Sequence, residues 1–569
     1  MISMRKIFLL PFFITFGFQS FSQNLPLSFS QHYEYLRREQ IQGKINSSLS
    51  FNVRPFAIEK AFPEFSSAFL ADSSIGIITK PSFIKSKNAK LRITAIPIQL
   101  LATYNSSTPN GWENSELLSN VGLQTIFSTG FHLKLGKLSV QFNPNFHYAQ
   151  NKEFEEYPSK APNEYFRRLS RSVFGIDKPV RYGTGSISNI NLGNSHVGAY
   201  LGGIFLGLSS ENIWAGPGQF TSLILSDNAP GFYHFRLQST KPLKTFLGNF
   251  EGIYWAGQLK SSESTHFSDG NFQTVFGEKD ESSWRYFTGL TISYSPKWIP
   301  GLSIGGTRGF QIYRDDMADN FKSFFPLFAP FQKEEEGLIE SLNLRQDQNV
   351  SVFSRYLVSS AKAEIYFEFS RNDHPLNWRD LLMNIEHSRA FQLGFSKYIK
   401  LPNKYSLGFQ GEITQSEFSI NNIIRWPNRQ GLSNSGLGAF DNVQVNHGWT
   451  HEGQLLGSNT GISGNSYLIQ VGIYDGFEEI SIRMERFENQ PNFYEFANTA
   501  GMNVDPWIDN SFFVNYSNSF EKFLLKSSMG ITTSYNNNFL IENLNQDGFS
   551  TGTDKNGNFS MNLSLIYLL

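Results

Sequence analysis

Cysteine is absent from the 569 residues of the chain. Its absence excludes disulfide frameworks, thiolate metal sites, cysteine nucleophiles and a lipid anchor on an N-terminal cysteine. Charged residues are scarce as well, at 17 %, where soluble domains usually carry about a quarter. The formal net charge of -1 gives neither the basic excess nor the basic stripe of a nucleic-acid-binding protein. We therefore expect no nucleic-acid partner.

Long apolar runs are also missing. The run at residues 7–18 is too short for a helix that crosses a bilayer, which needs about 20 apolar residues. It follows Arg5 and Lys6 and precedes small residues, which is the pattern of a secretory signal peptide. We expect residues 1–22 to be a signal peptide that is cleaved near Ser22. Any crossing of a membrane by the mature chain must then use strands.

Aromatic side chains are what the chain has in abundance. They make up 15 % of the residues, and Phe alone supplies 55 of them. The mean hydropathy is nevertheless -0.30, which is compatible with water. A transmembrane β-barrel combines these properties because lipid-facing apolar residues alternate with lumen-facing polar ones. No linker divides the chain after about residue 90, which favours a single large architecture.

Several segments alternate with period two, which predicts strands and excludes helices there. In residues 361–369, apolar side chains occupy every odd position, and Lys or Glu occupies three of the four even ones. Residues 405–414, 480–485 and 559–569 repeat the pattern. The last of these resembles the C-terminal signal of outer-membrane barrels, although it ends in Leu569 where most end in Phe or Trp.

Short and long connections alternate along the chain. Apolar residues switch from odd to even positions at Gly136 and Lys137, so the chain must reverse there in a two-residue hairpin. About nine long loops and eight short turns correspond to about eighteen strands, with short periplasmic turns and long outer loops. Residues 211–225 fit a strand poorly. The other short turns are predicted at residues 241–244, 296–300, 359–360, 401–403, 475–476 and 521–522.

The sequence thus predicts an all-β fold, a transmembrane antiparallel β-barrel of about eighteen strands over residues 90–569. Residues 23–89 precede it as an N-terminal periplasmic segment that caps or plugs the barrel. In this segment, residues 31–42 read as a short amphipathic helix and residues 47–53 as a strand. A soluble β-sandwich or stacked all-β domains would also alternate, but the loop rhythm, the missing linkers and the aromatic content favour the barrel.

No motif makes a positive case for catalysis, so we expect a protein that is not an enzyme. Gly301, Ser303 and Gly305 match the G-x-S-x-G pattern but lack the strand–turn–helix context of a nucleophile elbow. His387 and Ser388 are neighbours, and neighbours on a strand point to opposite faces.

Metal-binding patterns are weak too. His451 and Glu452 lack the second histidine, four residues on, that a zinc helix requires. Asp315, Asp316 and Asp319 lie in a long loop without calcium-loop spacing, which favours a solvated acidic turn. We expect neither a metal nor another cofactor.

Distinct motifs stand at the edges of several loops. The most specific lie in the block from Trp214 to Lys244, and the first of them begins just before it at Glu211. They read ENIWAGPG at 211–218, LSDNAPG at 225–231, FRL at 235–237 and KPLK at 241–244, and weaker ones read RNDH at 371–374, EHSRA at 386–390 and HGWTHEG at 447–453. Together these motifs resemble the Wzi capsule-assembly family over most of the chain from about residue 90 onward.

This resemblance implies an eighteen-stranded outer-membrane barrel with a small periplasmic helical part. It also implies a lectin that tethers capsular polysaccharide to the cell surface. The partners expected from it are capsular or exopolysaccharide, the lipid of the outer membrane and the polysaccharide export machinery.

A polysaccharide lectin needs aromatic faces for sugar rings and planar amide, carboxylate or guanidinium groups for hydroxyls and uronates. Motif residues of these types are therefore predicted to bind polysaccharide: Trp214, Asp227, Asn228, His234, Arg236, Arg371, Asp373, His374, Glu386 and Arg389. The alternative for each is a structural role, in an inward-folded loop or in an ion pair inside the lumen, because unpaired buried charge is costly.

Three functions remain open from the sequence. The leading hypothesis is a non-enzymatic surface glycan-binding protein that attaches or organises capsular or exopolysaccharide. The alternative is a passive porin or saccharide channel, since a barrel of this size has an aqueous lumen unless loops fill it. An outer-membrane hydrolase would depend on Ser303 or Ser388.

Overall fold

Side-chain alternation gives the long strands one polar and one apolar face, and in the computed structural model these strands join into a closed barrel. The structure describes residues 26–45, 48–57, 84–85, 91–111, 117–156, 176–264, 284–328, 345–372, 377–383, 385–386, 388–417, 438–442, 444–499, 504–520, 523–539, 541–545, 548–551 and 555–567. The predicted signal peptide, residues 1–22, lies outside these ranges.

Strands dominate the described residues. In chain order they are β1 (Val53–Arg54), β2 (Ile84–Lys85), β3 (Leu91–Asn105), β4 (Gly122–Leu135), β5 (Leu138–Phe142), β6 (Asn145–Ala149), β7 (Ile187–Asn191), β8 (His196–Leu201), β9 (Ile204–Ser209), β10 (Trp214–Ala215), β11 (Tyr233–Ser239), β12 (Leu243–Lys244), β13 (Gly248–Leu259), β14 (Arg285–Pro296), β15 (Leu302–Tyr313), β16 (Gln346–Val358), β17 (Ala363–Asn372), β18 (Arg389–Lys400), β19 (Ser406–Gln415), β20 (Thr450–His451), β21 (Gln454–Leu455), β22 (Asn465–Asp475), β23 (Glu478–Asn489), β24 (Trp507–Phe520), β25 (Phe523–Tyr535), β26 (Ile541–Asn545), β27 (Gly548–Thr551) and β28 (Lys555–Tyr567).

Helices are few and short. They are α1 (Ser30–Ile41), α2 (Phe321–Phe324), α3 (Trp378–Met383) and α4 (Pro491–Thr499), with 3₁₀ turns at Arg314–Asp316, Pro326–Phe328, Ser359–Ala361 and Asn537–Phe539. Within the described part of the chain, no helix has the length and apolar character needed to cross a membrane.

Eighteen antiparallel strands close the barrel in the described residues, which confirms the predicted fold class. Each strand pairs with the next, and β28 pairs with β3 to complete the ring. Three of the eighteen consist of two consecutive segments: β5 with β6, β7 with β8, and β11 with β12. Outside the ring, β1 pairs with β10, β20 with β21 and β26 with β27, while β2 pairs with the beginning of β3.

The outer wall is apolar and the inner wall is polar. On β17, Ile365 and Phe367 are 51 % and 39 % exposed on the outside, whereas Glu364 and Glu368 are buried in the bore. Exposed apolar residues recur on the outer face of most other barrel strands. A wall of this kind suits hydrocarbon outside and polar contents inside.

Most predicted turns fall at hairpins. Leu135 pairs with Leu138 across Gly136 and Lys137, as the alternation predicts. The strands also end and resume around 296–300, 359–360, 401–403 and 475–476. Residues 521–522 lie outside the described residues. We call the end of the barrel that carries these turns the short-turn end and the opposite end the long-loop end.

The hairpin predicted at 241–244 is wrong by a few residues. Leu243 and Lys244 pair with Phe250 and Asn249, so the reversal lies at 245–247. Pro242 has no N–H to donate to a ladder, and it interrupts the strand between β11 and β12 without reversing it. A further two-residue turn, not predicted, lies between Leu201 and Ile204.

Helix α1 lies inside the barrel at the short-turn end. Predicted at residues 31–42, it spans Ser30–Ile41, and ten of its residues are buried. The sequence predicts an amphipathic helix with one buried face, whereas the helix in the structure is buried on nearly all of its surface. Arg38 donates to the carbonyl of Gly476 at 2.6 Å, and Lys526 of β25 pairs with Glu34 at 2.6 Å.

The strand predicted at 47–53 is wrong except at its end. Among residues 48–53, the part of that range that the structure describes, only Val53 belongs to a strand, which continues to Arg54. Phe51 has φ 61°, a left-handed conformation that no extended strand tolerates. The Asn52 side chain donates to Ser293 and Ser303 of the barrel wall.

Buried charge joins α1 to the wall. Arg37 donates to Glu364 at 2.9 Å, and Arg355 of β16 bonds the other oxygen of Glu364 at 2.6 Å. These three side chains are at most 3 % exposed. Gln40 accepts from Arg355 at 2.9 Å. One carboxylate therefore neutralises two buried guanidinium groups.

Glu364→Gln should loosen α1 in the bore, because it leaves Arg37 and Arg355 without their shared counter-ion. Removing one partner of a buried ion pair typically costs about 3–5 kcal/mol. We expect a lower temperature for the heat-induced mobility shift on gels and faster proteolysis within residues 26–45.

Glu478→Gln provides the matched control. Glu478 pairs with Lys404 at the same end of the barrel, but the two side chains are 41 % and 54 % exposed. Its loss should change neither measurement appreciably. Equal effects of the two substitutions would contradict a special role for the buried carboxylate.

Candidate functional site

Residues 210–232 form an inward loop between β9 and β11, where the sequence fits a strand poorly. Gly216 shows why glycine stands in this turn: its φ is 143°, and a Cβ there would meet the side chains of Ser222 and Glu368. The Ser222 hydroxyl bonds the carbonyl of Ala215 at 2.6 Å. This arrangement matches the structural alternative for the Gly- and Pro-rich motif, an inward-folded loop.

Two carboxylates of the barrel wall hold this loop through its backbone. Glu412 of β19 accepts hydrogen bonds from the N–H groups of Gln219, Phe220 and Thr221 at 3.0–3.2 Å. Glu368 of β17 accepts from the N–H of Leu223 at 3.1 Å. Charge-assisted bonds of this kind are stronger than neutral ones.

A second inward loop, formed by residues 438–442 and 444–464, packs on the first. The Trp449 indole donates to the carbonyl of Ile224 at 2.8 Å. Arg285 of β14 donates to the carbonyls of Gly448 and Thr450 at 2.7 and 2.9 Å. Burial raises the pKa of Asp441, in the same loop, to about 7. The two loops and α1 together occupy much of the bore.

Trp214 lies between the inward loop and the N-terminal segment. It pairs with Arg54 in the short ladder of β1 and β10. The guanidinium carbon of Arg54 lies 4.5 Å from the ring centre of Trp214 and 5.4 Å from that of Tyr33. Burial, and then the charge of Arg37, lower the pKa of Arg54 to about 9, which leaves it protonated at neutral pH.

His234 and Arg236 of β11 are held on the inner wall. Arg236 pairs with Glu211, which also contacts His196 at 3.1 Å. A ring nitrogen of His234 lies 2.7 Å from the carbonyl of Phe232. Both predicted site residues are buried, and the carboxylate partner of Arg236 comes from the inward loop.

Asp227 and Asn228 belong to the inward loop. Asn212 donates to Asp227 at 2.8 Å, and Asn228 donates to the carbonyl of Leu455 at 3.2 Å. Asp227 is buried, while Asn228 is half-buried.

A cavity of about 210 Å³ lies between α1, the inward loop and one arc of the wall. Two of the predicted residues, Trp214 and Asp227, line it. It reaches from Lys526 near the short-turn end to Asn110 in the loop after β3. Other charged and aromatic lining residues are Tyr33, Glu34, Arg37, Arg38, Arg54, Phe220, Tyr474, Glu479, Arg483, Glu485 and Phe513.

None of these other residues is among those predicted from the sequence. Arg37 and Arg38 were visible as a charged cluster on the predicted helix, but nothing indicated that the helix enters the bore. Arg483 and Glu485 alternate with apolar residues on β23, which places them on the inner wall, and the two pair at 2.7 Å. This alternation was the signal that could have found them.

The other predicted residues lie near the long-loop end. Arg371 and Arg389 are opposite each other on β17 and β18. The Arg389 guanidinium lies 5.0 Å from the ring centre of Phe391. Glu386 is half-buried in the connection between the two strands. Asp373 and His374 lie outside the described residues. The eight predicted residues that the structure describes therefore do not form one site.

The residues considered for catalysis or metal binding have hydrogen bonds or backbone positions that fit a structural role. Ser303 belongs to β15 and donates to the carbonyl of Arg355 at 3.3 Å. Ser388, directly before β18, has φ 51°, and His387 lies outside the described residues. His451 lies on β20, where a ring nitrogen accepts from the N–H of Lys260 at 3.1 Å.

Two of the three acidic residues after β15, Asp316 and Asp319, are paired with arginines. Arg314 contacts Asp319 at 2.7 Å, and Arg345 contacts Asp316 at 2.8 Å. Across the described part of the chain, no three His, Asp or Glu side chains are grouped as metal ligands.

Comparison with known proteins bears on both the family and the fold. A family model described as "Capsule assembly protein Wzi" matches residues 110–478. No curated protein sequence matches the chain. Among solved structures, the chain is similar to Wzi of Escherichia coli, described as an outer membrane protein involved in group 1 capsule assembly and a carbohydrate-binding β-barrel. The TM-score is 0.58 at 12 % identity, over 96 % of this chain and 99 % of that chain.

Other solved barrels are less similar. OccK11 (OpdR) of Pseudomonas aeruginosa has a TM-score of 0.36 at 7 % identity, over 84 % of this chain and 95 % of that chain. OccAB2 of Acinetobacter baumannii has a TM-score of 0.38 at 8 % identity, over 83 % and 98 %. The similarity to the Escherichia coli structure supports the eighteen-stranded fold.

Glu412→Gln should release the inward loop at three amides. A glutamine offers one acceptor oxygen and no charge, so it cannot hold the N–H groups of Gln219, Phe220 and Thr221 together. Loss of about 1.4 kcal/mol of local stability corresponds to tenfold faster opening. Amide hydrogen exchange should accelerate at least about tenfold at these residues.

Glu368→Gln is the reciprocal control. It should accelerate exchange at Leu223 and leave the amides held by Glu412 protected. Uniform acceleration along residues 210–232 in both variants would mean that the two carboxylates do not act locally.

Proposed function

The chain belongs to the Wzi family of capsule assembly proteins, and we propose that it acts as a non-enzymatic glycan-binding protein of the bacterial outer membrane. In this role it binds capsular or exopolysaccharide and helps to attach or assemble it on the cell surface. The observation that carries the proposal is the family match over residues 110–478, on a barrel with an apolar outer wall. The polysaccharide export machinery is a further proposed partner.

The arrangement of the chain in the membrane follows from the same proposal. Residues 1–22 serve as a cleaved signal peptide, residues 23–89 as the N-terminal plug segment and residues 90–569 as the barrel. The position of α1 inside the short-turn end supports a periplasmic plug, because short turns of outer-membrane barrels face the periplasm. The long-loop end then faces the medium.

We propose the cavity beside Trp214 and Asp227 as the place where a saccharide unit binds. Aromatic rings and charged groups are combined there, which is the chemistry that sugar faces and acidic or hydroxyl groups require. The cavity reaches Asn110 and Gly111, both half-buried in the loop after β3. The end of a polysaccharide chain would enter the cavity from the outside at this loop. Arg54 and Arg483 supply positive charge for an acidic sugar.

One observation favours the alternative of a saccharide channel. The cavity has lining residues toward both ends of the barrel, from Glu34 and Lys526 to Asn110. Against a passive channel stand the filled bore and the ion pair between Glu34 and Lys526 along the route.

Deleting the gene should release polysaccharide into the medium while total synthesis continues, because attachment and not polymerisation is lost. The measurement compares cell-bound with soluble polysaccharide in the parent, the deletion strain and the complemented strain. Unchanged surface retention in the deletion strain would refute the proposed function.

The purified Asp227→Asn variant tests the cavity. The substitution keeps the shape of the side chain but replaces one carboxylate oxygen, an acceptor for sugar hydroxyls, by an amide donor, and we expect oligosaccharides of the strain's own capsule to bind about tenfold more weakly, or about 1.4 kcal/mol. Asp347→Asn is the control, because Asp347 is also buried and bonded to Gln311 and Asn442 but does not line the cavity. Equal loss of binding in both variants would exclude a specific role for the cavity.

Ionic conductance across planar bilayers distinguishes a lectin from a channel. The purified full-length protein should give no steady ionic conductance, because α1 and the two inward loops obstruct the bore. Steady conductance that sugar oligomers reduce would instead support the saccharide channel.

A further inference from the structure

A group of buried carboxylate and amide side chains lies between the inner wall and the second inward loop, toward the long-loop end. Asp347 and Asn349 belong to β16, Asn372 ends β17, and Asp441 belongs to the second inward loop. Each of the four residues is at most 4 % exposed. The group is separate from the cavity beside Trp214, because none of the four lines that cavity.

Strand register brings Asn349 and Asn372 together. The two residues are directly opposite each other on β16 and β17. Opposite residues of an antiparallel pair share a face, and their Cβ atoms are about 4.5–5.5 Å apart. Asp347 precedes Asn349 by two positions and shares its face as well. This face is the inner one, because the Asp347 carboxylate accepts from Asn442 of the second inward loop at 3.0 Å.

The second inward loop places Asp441 against this pair. The Asn372 amide donates to the backbone carbonyl of Asp441 at 2.7 Å and to that of Gly438 at 3.5 Å. Asp441 Oδ1 lies close to Gly438, since a Cβ added to this glycine would be 3.2 Å from it. The loop thus adds a carboxylate to the two asparagine amides of the wall.

Several polar atoms of this group are unsatisfied by the protein. Among the described residues, Asn349 Oδ1 and Nδ2, Asn372 Oδ1 and Asp441 Oδ1 have no hydrogen-bond partner. Asn349 is 0 % exposed, so its amide does not reach the bulk solvent. Native proteins satisfy nearly all buried polar groups with protein, ordered water or an ion. Three of these four atoms are oxygens, the ligand atoms that hard cations prefer.

The charge around these oxygens also favours a cation. Asp347 interacts electrostatically with Arg285 of β14, whose N–H groups are bonded to Gln311 and to carbonyls of the second inward loop. Asp441 has no comparable interaction with a charged side chain in the part of the chain that the structure describes. A buried carboxylate without a counter-ion is costly, and a bound cation removes this cost.

We propose that Asn349, Asn372 and Asp441 bind a calcium ion, which joins the second inward loop to the barrel wall. Calcium accepts carboxylate and amide oxygens in a flexible geometry. Magnesium is the less favourable occupant, because it demands a near-ideal octahedron and keeps several water molecules. The site lies toward the end of the barrel that faces the medium in the proposed function, but calcium binding does not depend on glycan binding.

The test is calcium binding by the purified full-length protein in detergent, first treated with a chelator and then freed of it. Equilibrium dialysis against radioactive calcium should show one saturable site per chain, with a Kd of about 10⁻⁴–10⁻³ M, as in extracellular calcium modules. Calcium should also slow amide hydrogen exchange in residues 438–442 and 444–464, because the ion fixes this loop to the wall.

Two substitutions should change the affinity in opposite directions. Asp441→Asn removes the charged ligand and should weaken calcium binding at least about tenfold. Asn349→Asp adds a second carboxylate to the ligand set and should tighten calcium binding at least about tenfold. A gain in affinity cannot result from misfolding, so this variant tests the site even where Asp441→Asn does not fold. Heat-modifiable migration on gels checks the fold of both.

Asp177→Asn is the matched control. Asp177 is also 4 % exposed, and its N–H donates to the carbonyl of His447 in the second inward loop at 2.9 Å. Its two carboxylate oxygens accept from the N–H and the hydroxyl of Ser262 at 2.8 and 2.6 Å. Because these oxygens are satisfied by protein donors, the variant should bind calcium as the wild type does.

Four results would overturn the proposal. Without saturable calcium binding, the buried amide of Asn349 is satisfied by water only. Magnesium that binds as tightly as calcium would exclude the assignment to calcium. Asn349→Asp without tighter binding, or equal losses in Asp441→Asn and Asp177→Asn, would place the ion elsewhere. The protein is free of polysaccharide in this test, so calcium binding can stand even where deletion of the gene leaves surface retention unchanged.

Discussion

Backbone hydrogen bonding is the constraint on which the rest of the structure depends. A chain that crosses hydrocarbon as strands must pair its N–H and C=O groups with other strands, since no water is available. Pairing β28 with β3 removes the last open edge and converts eighteen strands into a ring. The ring fixes the direction of every side chain, and so it creates two environments from one alternating sequence: an apolar wall outside and a polar bore inside.

The N-terminal segment and the two inward loops pack against charged residues of the inner wall. Carboxylates of the inner wall would be costly in isolation, and the chain uses its N-terminal segment and two loops to satisfy them. Glu364 takes two guanidinium groups, Glu412 takes three backbone N–H groups, and Glu211 joins Arg236 to the inward loop. The contents of the bore and the charge of its wall therefore form one system, and the cavity beside Trp214 is the space left between them.

Sequence alternation was enough to predict the barrel, its strand number and most short turns, because period two is a local property. The predictions from alternation failed where contacts between distant parts of the chain override the local sequence pattern. Pro242 looked like a turn but only interrupts a strand, and Phe51 breaks the predicted N-terminal strand with a left-handed φ of 61°. The predicted site residues shared suitable chemistry, yet the fold distributes those that the structure describes between the bore and the long-loop end. Their grouping depends on strand register, which a single sequence does not reveal.

Helix α1 contacts the ring at widely separated places: Lys526 of β25, Glu364 of β17 and the carbonyl of Gly476 beyond β22, while Gln99 of β3 reaches Ser28 just before it. These contacts connect the N-terminal helix to separate parts of the barrel wall. A barrel without such internal contacts is freer to become elliptical in cross-section or to open between its first and last strands. Here any such deformation must strain the buried pair of Arg37 and Glu364 and the partly buried contacts of the same helix, so α1 stiffens the cylinder from within.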